Sequence, residues 1–247
     1  MLLAPAEIAA LANRDLSRTV CVVFDVLRAT SSMVTALAHG AQAIVPVAEI
    51  PEALSAKVGR PDALLAGERN GLRIDAGLTG GVEFDLGNSP REFTQDRVLG
   101  RTIIMSTTNG TRALRACAAA QEVIVGALLN LGTVAAGLLR IAPPDLLLVC
   151  SGTVEQASFE DTLAAGALAD QLWSAYGDGG VADSAQLARE IYLRHAADLP
   201  GAFRLARNGR RLLARPELAE DVAFCARKDV FHFAPVLGLD GTIRWLR

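Results

Sequence analysis

Six short apolar runs recur along this chain, and polar residues follow each of them. The runs are rich in β-branched residues and too short for helices, which predicts that they form strands. The predicted strands are Thr19 to Phe24, Ala43 to Val47, Ala63 to Ala66, Thr102 to Met105, Val123 to Val125 and Leu146 to Cys150. Helices are predicted at Ser31 to His39, Thr111 to Ala119, Leu131 to Leu139 and Asp161 to Trp173. Strands that alternate with helices favour an α/β fold of three layers, α/β/α, around a mainly parallel sheet.

The length of the chain suits one α/β domain that spans residues 1–247. A faint internal repeat is also compatible with two similar lobes, with a boundary near residues 140–145. Residues 41–45 follow one predicted helix, and the similar residues 120–124 follow another. Chance similarity between two βαβ units and true duplication explain this repeat about equally well.

Two regions have weaker patterns. Residues 69–98 are rich in glycine and show little periodicity, which predicts a long loop of the kind that is usually functional or mobile. From Gly177 onward the chain is richer in arginine. Helices are predicted there at Ala185 to Ala196 and Pro216 to Asp221, and a strand at Val222 to Ala226.

Composition argues against several classes of protein. The 24 basic and 27 acidic residues give a net charge of −3, so neither nucleic acid nor an anionic membrane is an expected partner. We expect no transmembrane segment, because no apolar stretch is long and uncharged enough. The four cysteines are far apart in the sequence, which predicts reduced, buried thiols and a cytoplasmic protein.

Two strand-to-helix loops carry polar residues suited to an anion. The first contains Asp25 and Arg28, and the guanidinium offers a forked donor to a phosphate or sulfonate. The second supplies Ser106, Thr107, Thr108, Asn109 and Gly110. Free backbone N–H groups at a helix start favour phosphate, so the two loops predict a phosphate site. The alternatives are a surface ion pair for Arg28 and a helix cap made by Thr108 or Asn109.

Acidic residues also follow several predicted strands or begin a predicted helix. They are Asp25, Glu68, Glu160 and Asp161. Ligands bind outside the carboxyl ends of parallel strands, and Mg²⁺ prefers carboxylate oxygens, so these residues predict a magnesium site. Asp25 is also a candidate nucleophile. The structural alternatives are a helix cap for Asp25, a solvated turn for Glu68 and a capping box for Ser158-x-x-Asp161.

Five motifs, in this order, resemble the 2-phosphosulfolactate phosphatases, a family of Mg²⁺-dependent enzymes first associated with coenzyme M biosynthesis. The motifs are Asp25-Val26-Leu27-Arg28-Ala29-Thr30, Gly67-Glu68-Arg69-Asn70-Gly71, Phe84-Asp85-Leu86-Gly87-Asn88-Ser89-Pro90, Ser106-Thr107-Thr108-Asn109-Gly110-Thr111 and Glu160-Asp161-Thr162-Leu163-Ala164-Ala165-Gly166. The resemblance extends from about residue 20 to about residue 230, which a single short motif could not give. The stretch Asp75 to Glu83 is longer than the family's usual segment before Phe84.

The resemblance implies a cytosolic α/β enzyme whose single catalytic domain hydrolyses 2-phosphosulfolactate to sulfolactate and inorganic phosphate. Two other functions fit the residues. One is a phosphatase of another small phospho-hydroxy acid, and the other is a non-catalytic protein that binds a phosphoester or anion. Carboxylates beside the hydroxyl loop argue against the binding protein, because an anion alone would not require them. A homodimer would be ordinary for an enzyme of this size.

The resemblance also implies roles for individual residues. The expected metal ligands are Asp25, Glu68, Glu160 and Asp161. The expected catalytic residues are Asp25, Arg28 and Asp161. The expected substrate-binding residues are Arg28, Asn88, Ser89, Ser106, Thr107, Thr108, Asn109 and Gly110. In this arrangement the hydroxyl loop would cradle one anionic group, and Arg28 with the Asn88-Ser89 turn would hold another.

Overall fold

Nine strands form one sheet in the computed structural model, which describes residues 1–177 and 180–245. The strands are β1 Thr19–Phe24, β2 Ala43–Val47, β3 Leu64–Arg69, β4 Leu72–Arg73, β5 Thr102–Ser106, β6 Glu122–Gly126, β7 Asp145–Cys150, β8 Val236–Leu237 and β9 Ile243–Arg244. Their order across the sheet is β4-β3-β5-β2-β9-β8-β6-β1-β7. All six predicted strands are present, and their ends differ from the prediction by at most three residues.

The sheet combines two groups of three parallel strands. One group is β3, β5 and β2, and the other is β6, β1 and β7. Between them lie β8 and β9, which pair antiparallel with each other and with β6 and β2. The sheet is therefore mixed but mainly parallel, as predicted. The number of lobes and the suggested boundary near residues 140–145 stay predictions.

Helices cover both faces of the sheet. They are α1 Pro5–Ala9, α2 Ala29–Ala38, α3 Ile50–Val58, α4 Ala76–Thr79, α5 Gln95–Val98, α6 Gly110–Ala116, α7 Leu131–Ile141, α8 Phe159–Tyr176, α9 Asp183–His195, α10 Leu199–Leu205, α11 Arg207–Leu213 and α12 Ala219–Cys225. Alternate residues of β1 enter different apolar clusters: Cys21 and Val23 belong to one, and Val20 and Val22 to the other. Because neighbouring side chains of a strand point to opposite faces, this confirms the three-layer α/β/α fold.

The strand predicted at Val222 to Ala226 is wrong, because these residues lie in or directly after helix α12. A short apolar run cannot be assigned to strand or helix by periodicity alone. Here Val222 and Cys225 are buried at a helical spacing of three, and acidic residues occupy the first helical turn, where they favour a helix. The helix predicted at Pro216 to Asp221 begins only at Ala219.

Residues 69–98 are more structured than the predicted glycine-rich loop. They contain β4, α4, α5 and a 3₁₀ turn at Pro90–Glu92. Five buried apolar side chains anchor the segment to the core, and these are Ile74, Phe84, Leu86, Phe93 and Val98. Their spacing follows neither a helix nor a strand, which explains why the sequence pattern missed them.

The cysteines and helices agree with the expectations from composition. All four cysteines are free and buried, as predicted for reduced thiols. Within the described ranges, no helix combines the length and the apolar character needed to cross a membrane. The cytoplasmic location stays a prediction.

Candidate active site

A cavity opens at the carboxyl edge of the sheet, next to the loops that follow β1, β3 and β5. The strand register places these loops in two pairs. Phe24 at the end of β1 pairs with Cys150 of β7, so the loops after β1 and β7 start side by side, and Gly67 of β3 pairs with Ser106 of β5 in the same way. Six predicted site residues line the cavity, and these are Asp25, Arg28, Glu68, Asn88, Thr108 and Asn109.

Asp25 follows β1 directly, and its carboxylate contributes both to the cavity and to the start of α2. Its Oδ1 accepts a hydrogen bond from the backbone N–H of Ala29 at 3.3 Å. Burial raises the pKa of Asp25 to about 7; the Ala29 bond opposes this shift, and the negative charges of Glu68 and Glu160 add to it. The charges of both glutamates therefore act on Asp25, and a cation bound at Asp25 would relieve that repulsion.

Glu68 ties the loop after β3 to the loop after β5. Its Oε1 accepts hydrogen bonds from the backbone N–H and the hydroxyl of Thr108, at 2.9 and 2.8 Å. Its Oε2 accepts one from the backbone N–H of Gly71 at 2.7 Å. These donors hold a buried carboxylate in one orientation at the cavity, so Glu68 is not a solvated turn residue.

Two hydroxyls of the loop expected to cradle an anionic group are held by contacts inside the protein. The Oγ of Ser106 accepts a hydrogen bond from Arg69 at 2.9 Å, and the Oγ1 of Thr107 accepts one from the backbone N–H of Thr111 at 3.2 Å. Ser106 and Thr107 are buried and absent from the cavity lining, because these internal contacts hold their hydroxyls. Of the loop's side chains, those of Thr108 and Asn109 line the cavity.

Arg28 forms a buried ion pair rather than the surface pair considered above. Its Nη1 lies 2.7 Å from Oδ2 of Asp221, and its Nη2 donates to the backbone carbonyl of Gly71, also at 2.7 Å. Asp221 is fully buried at the start of α12. Its carboxylate compensates the charge of Arg28, so Arg28 does not enter the cavity as a free cation. Sequence reasoning missed Asp221, which the pattern placed at the end of a predicted helix.

The two residues of the Asn88-Ser89 turn have different surroundings. Asn88 lines the cavity, whereas Ser89 contacts the ion pair between Arg28 and Asp221. The hydroxyl of Ser89 donates to Oδ1 of Asp221 at 2.7 Å and is absent from the cavity lining. The side-chain oxygen of Asn88 is buried at the cavity and has no hydrogen-bond partner within the described chain. A buried polar atom without a partner is costly, so a ligand or water there would be stabilised.

Asp161 braces the loops after β1 and β7. Its Oδ1 accepts from the backbone N–H of Val26 at 2.8 Å, and its Oδ2 accepts from Gly152 at 3.3 Å and from the Ser158 hydroxyl at 2.5 Å. Burial raises the pKa of Asp161 well above the usual range, and the charges of Glu160 and Asp25 add to that shift. Asp161 is absent from the cavity lining, so its contacts are those of a structural residue.

Glu160 is buried beside Asp161 and faces an adjoining cavity. Its Oε1 accepts a hydrogen bond from Asn208 at 2.6 Å, whereas its Oε2 has no partner within the described chain. Burial raises the pKa of Glu160. A proton or a cation would satisfy the unpaired oxygen.

The four expected metal ligands are not gathered in one place. Among the residues that the structure describes, no three histidine, cysteine or acidic side chains are grouped so as to hold a metal ion. Asp25 and Glu68 nevertheless line the same cavity. Mg²⁺ commonly takes one or two carboxylates and completes its shell with water and substrate phosphate. The residues present therefore fit Mg²⁺ through Asp25 and Glu68.

Helix α11 supplies residues that sequence reasoning missed altogether. Asn208 and Arg211 on α11, and Arg215 just beyond its end, line the cavity together with the strand loops. Asn208 also donates hydrogen bonds to Oγ1 of Thr153 at 2.8 Å and to Glu160. Their spacing of three and four is the one signal in the sequence that could have indicated a shared helical face.

Comparison with known proteins gives a consistent result over most of the chain. The family model described as 2-phosphosulpholactate phosphatase matches residues 6–239. A relative from Caldanaerobacter subterraneus subsp. tengcongensis, named a probable 2-phosphosulfolactate phosphatase, is 40% identical, over 91% of this chain and 90% of its own. Relatives with the same name from Synechococcus sp. and Symbiobacterium thermophilum are 41% and 38% identical, over 87% and 90% of this chain and 86% and 92% of their own.

Proposed function

The chain belongs to the 2-phosphosulfolactate phosphatase family, and on this basis we propose that it hydrolyses 2-phosphosulfolactate to sulfolactate and inorganic phosphate with Mg²⁺ as its cofactor. The protein is a phosphoric monoester hydrolase. The observation that carries the proposal is the cavity that two carboxylates, Asp25 and Glu68, line together with arginines at the carboxyl edge of a mainly parallel sheet.

The proposed reaction exchanges one P–O bond for another. The oxygen of water bonds to phosphorus, the bond from phosphorus to the substrate's C2 oxygen breaks, and that oxygen takes up a proton to become a hydroxyl. Phosphoryl transfer depends mostly on positioning and on compensation of negative charge. A site with fixed carboxylates, amides and guanidinium groups supplies both.

Asp25 and Glu68 would hold the magnesium ion. A bound Mg²⁺ would compensate charge on the phosphoryl oxygens. Glu68 is prepared for this role because Thr108 and Gly71 fix its orientation. Asp25 lies at the end of a fully buried strand, which limits its movement. The amides of Asn88 and Asn109 remain available to the substrate, since neither makes a side-chain hydrogen bond within the described residues.

Asp25 has two candidate roles, metal ligand and nucleophile, and one substitution tests both. Asp25→Asn keeps the shape of the side chain and removes its charge. We expect substrate to bind and turnover to be lost. Activity that survives this substitution would reject both roles.

The test of the function itself is phosphate release from racemic 2-phosphosulfolactate, with Mg²⁺ and with EDTA. 2-Phospholactate and p-nitrophenyl phosphate serve as comparison substrates. Mg²⁺-dependent release that favours the sulfonated ester would support the proposal. Release from the comparison esters alone would indicate a phosphatase of another phospho-hydroxy acid, and phosphoester binding without release would indicate a binding protein. A homodimer and a cytoplasmic location remain predictions.

A further inference from the structure

A stripe of four residues on and just after helix α11 faces the cavity. The stripe consists of Asn208, Arg211, Leu212 and Arg215. Their spacing of three, four and seven residues places them along one side of a helix. The stripe therefore carries two guanidinium groups to the cavity that Asp25 and Glu68 also line.

Neither arginine of this stripe has an acidic partner. Across residues 1–177 and 180–245, no salt bridge and no side-chain hydrogen bond involves Arg211 or Arg215. Arg28 differs from them, because Asp221 compensates its charge at 2.7 Å. The uncompensated positive charge that lines the cavity thus comes from Arg211 and Arg215.

In Arg215, one buried guanidinium nitrogen, Nη1, lacks a hydrogen-bond acceptor among the described residues. It lies 4.0 Å from the position that a Cβ atom would take on Gly71, whose carbonyl accepts a bond from Arg28. Arg215 and Arg28 therefore flank the same turn at the cavity. A buried guanidinium nitrogen without an acceptor is costly, and an anionic ligand would supply the acceptor.

The cavity thus contains charges of both signs. The carboxylates of Asp25 and Glu68 would hold the proposed metal and, with it, the reacting phosphate. The guanidinium groups of Arg211 and Arg215 would gain counterions from further anionic groups of the substrate.

We propose that Arg211 and Arg215 bind the sulfonate and carboxylate groups of the substrate that do not react. The pair would thereby select phosphoesters that carry further anionic groups. This inference rests on the proposed function. It assigns substrate specificity to residues that lie more than 180 positions after Asp25 in the sequence. Bond cleavage is left to Asp25 and Glu68.

The test compares Arg211→Ala and Arg215→Ala on three esters. 2-Phosphosulfolactate has two further anionic groups, 2-phospholactate has one, and p-nitrophenyl phosphate has none. We expect kcat/KM to fall by about 10-fold to 100-fold on the first, less on the second and not at all on the third. Equal losses on all three esters would overturn the inference.

Two controls match the variants. Arg215→Lys keeps the charge and loses the fork, so we expect part of the loss to be restored. Arg60→Ala removes an exposed arginine outside the cavity, and we expect no effect on any ester. Thermal melting verifies that each variant is folded.

A binding measurement separates failure of this inference from failure of the proposed function. Sulfolactate carries the sulfonate and carboxylate but no phosphate. Calorimetric titration should show that wild type binds it and that Arg215→Ala binds it about 10-fold or more weakly. If wild type hydrolysed none of the esters and still bound sulfolactate more tightly than Arg215→Ala does, that result would reject the proposed function and support the proposed role of Arg211 and Arg215. If sulfolactate bound equally to wild type and Arg215→Ala, or did not bind to wild type, the proposed role of Arg211 and Arg215 would be overturned.

Discussion

An oxygen of the Asp25 carboxylate lies 2.7 Å from the position that a Cβ atom would take on Gly110. The Cβ of Ala29 lies equally close to that position. The loop after β5 can therefore approach the loop after β1 only because residue 110 has no side chain. Gly110, an expected substrate-binding residue, thus allows the two loops to approach each other.

We expect Gly110→Ala to displace Asp25 and to reduce kcat/KM by about 100-fold, since a shift of about 1 Å in a catalytic group has effects of that size. Crowding should also lower the free energy of unfolding by about 1–3 kcal/mol. Steady-state kinetics and denaturant unfolding measure the two effects.

The control is Gly137→Ala in helix α7, where an added Cβ meets no atom within 4 Å. Alanine favours helix over glycine by about 1 kcal/mol, so this variant should be as stable as wild type or more stable. Wild-type activity in Gly110→Ala would mean that the close approach of the loops is not needed.

Asp221→Asn should lower the free energy of unfolding by about 3–5 kcal/mol, because it leaves the buried guanidinium of Arg28 without its counterion. The neighbouring Glu220 offers a matched control, since its ion pair with Arg91 is exposed. Glu220→Gln should cost only about 0–1 kcal/mol. Equal costs in urea unfolding would contradict the assignment of Asp221 as the buried partner.

The adjacent acids Glu160 and Asp161 should respond differently to loss of charge. Asp161→Asn replaces an acceptor of buried hydrogen bonds by a donor, and we expect a loss of about 1–3 kcal/mol. Glu160→Gln keeps the oxygen that accepts from Asn208 and removes a buried charge, so the melting temperature should stay the same or rise. If Glu160→Gln lowered the melting temperature and Asp161→Asn did not, Glu160 rather than Asp161 would be the structural residue.

The stability of the metal-free protein should depend on pH through Asp25. Its pKa is raised to about 7 in the folded state, so the folded protein holds the proton more tightly than the unfolded chain does. The protonated carboxyl of Asp25 therefore contributes fully to the free energy of unfolding at pH values below the usual aspartate pKa. This contribution is lost as the pH rises through about 7. In EDTA, Asp25→Asn should melt at the same temperature as wild type at low pH and several degrees higher at pH 8.

Magnesium should act in the same pH range. If Asp25 holds the ion, Mg²⁺ should raise the melting temperature of wild type at pH 8 and have little effect on Asp25→Asn. If the difference in melting temperature between wild type and Asp25→Asn in EDTA stayed constant from pH 5 to pH 8, the raised pKa of Asp25 would be contradicted.

The parallel strands could be predicted because they are buried on both faces and so read as continuous apolar runs. The boundaries of β1 and β2 match the prediction, Thr19–Phe24 and Ala43–Val47. The two-residue strands β8 and β9 carry no such pattern. They exist because β6 and β2 each offer an unpaired edge, and only tertiary structure creates those edges.

The candidate site was predictable where a residue directly follows a strand. Asp25 lies one residue after β1, and Glu68 lies near the end of β3, so the strand pattern places both at the carboxyl edge. The directions of neighbouring side chains were not predictable. Ser106 and Thr107 belong to the same loop as Thr108, but their hydroxyls turn to partners inside the protein.

The sequence by itself determined the α/β alternation and the edge of the sheet at which acidic and amide side chains gather. The strand pattern is local, and local periodicity is enough to identify it. Tertiary structure alone decided which charges are compensated: Asp221 lies 193 positions from Arg28, yet pairs with it. The same long-range folding brought Arg211 and Arg215 to the cavity, where neither forms a salt bridge with any of the described residues. Charge compensation depends on distance in space, which no spacing along the chain encodes.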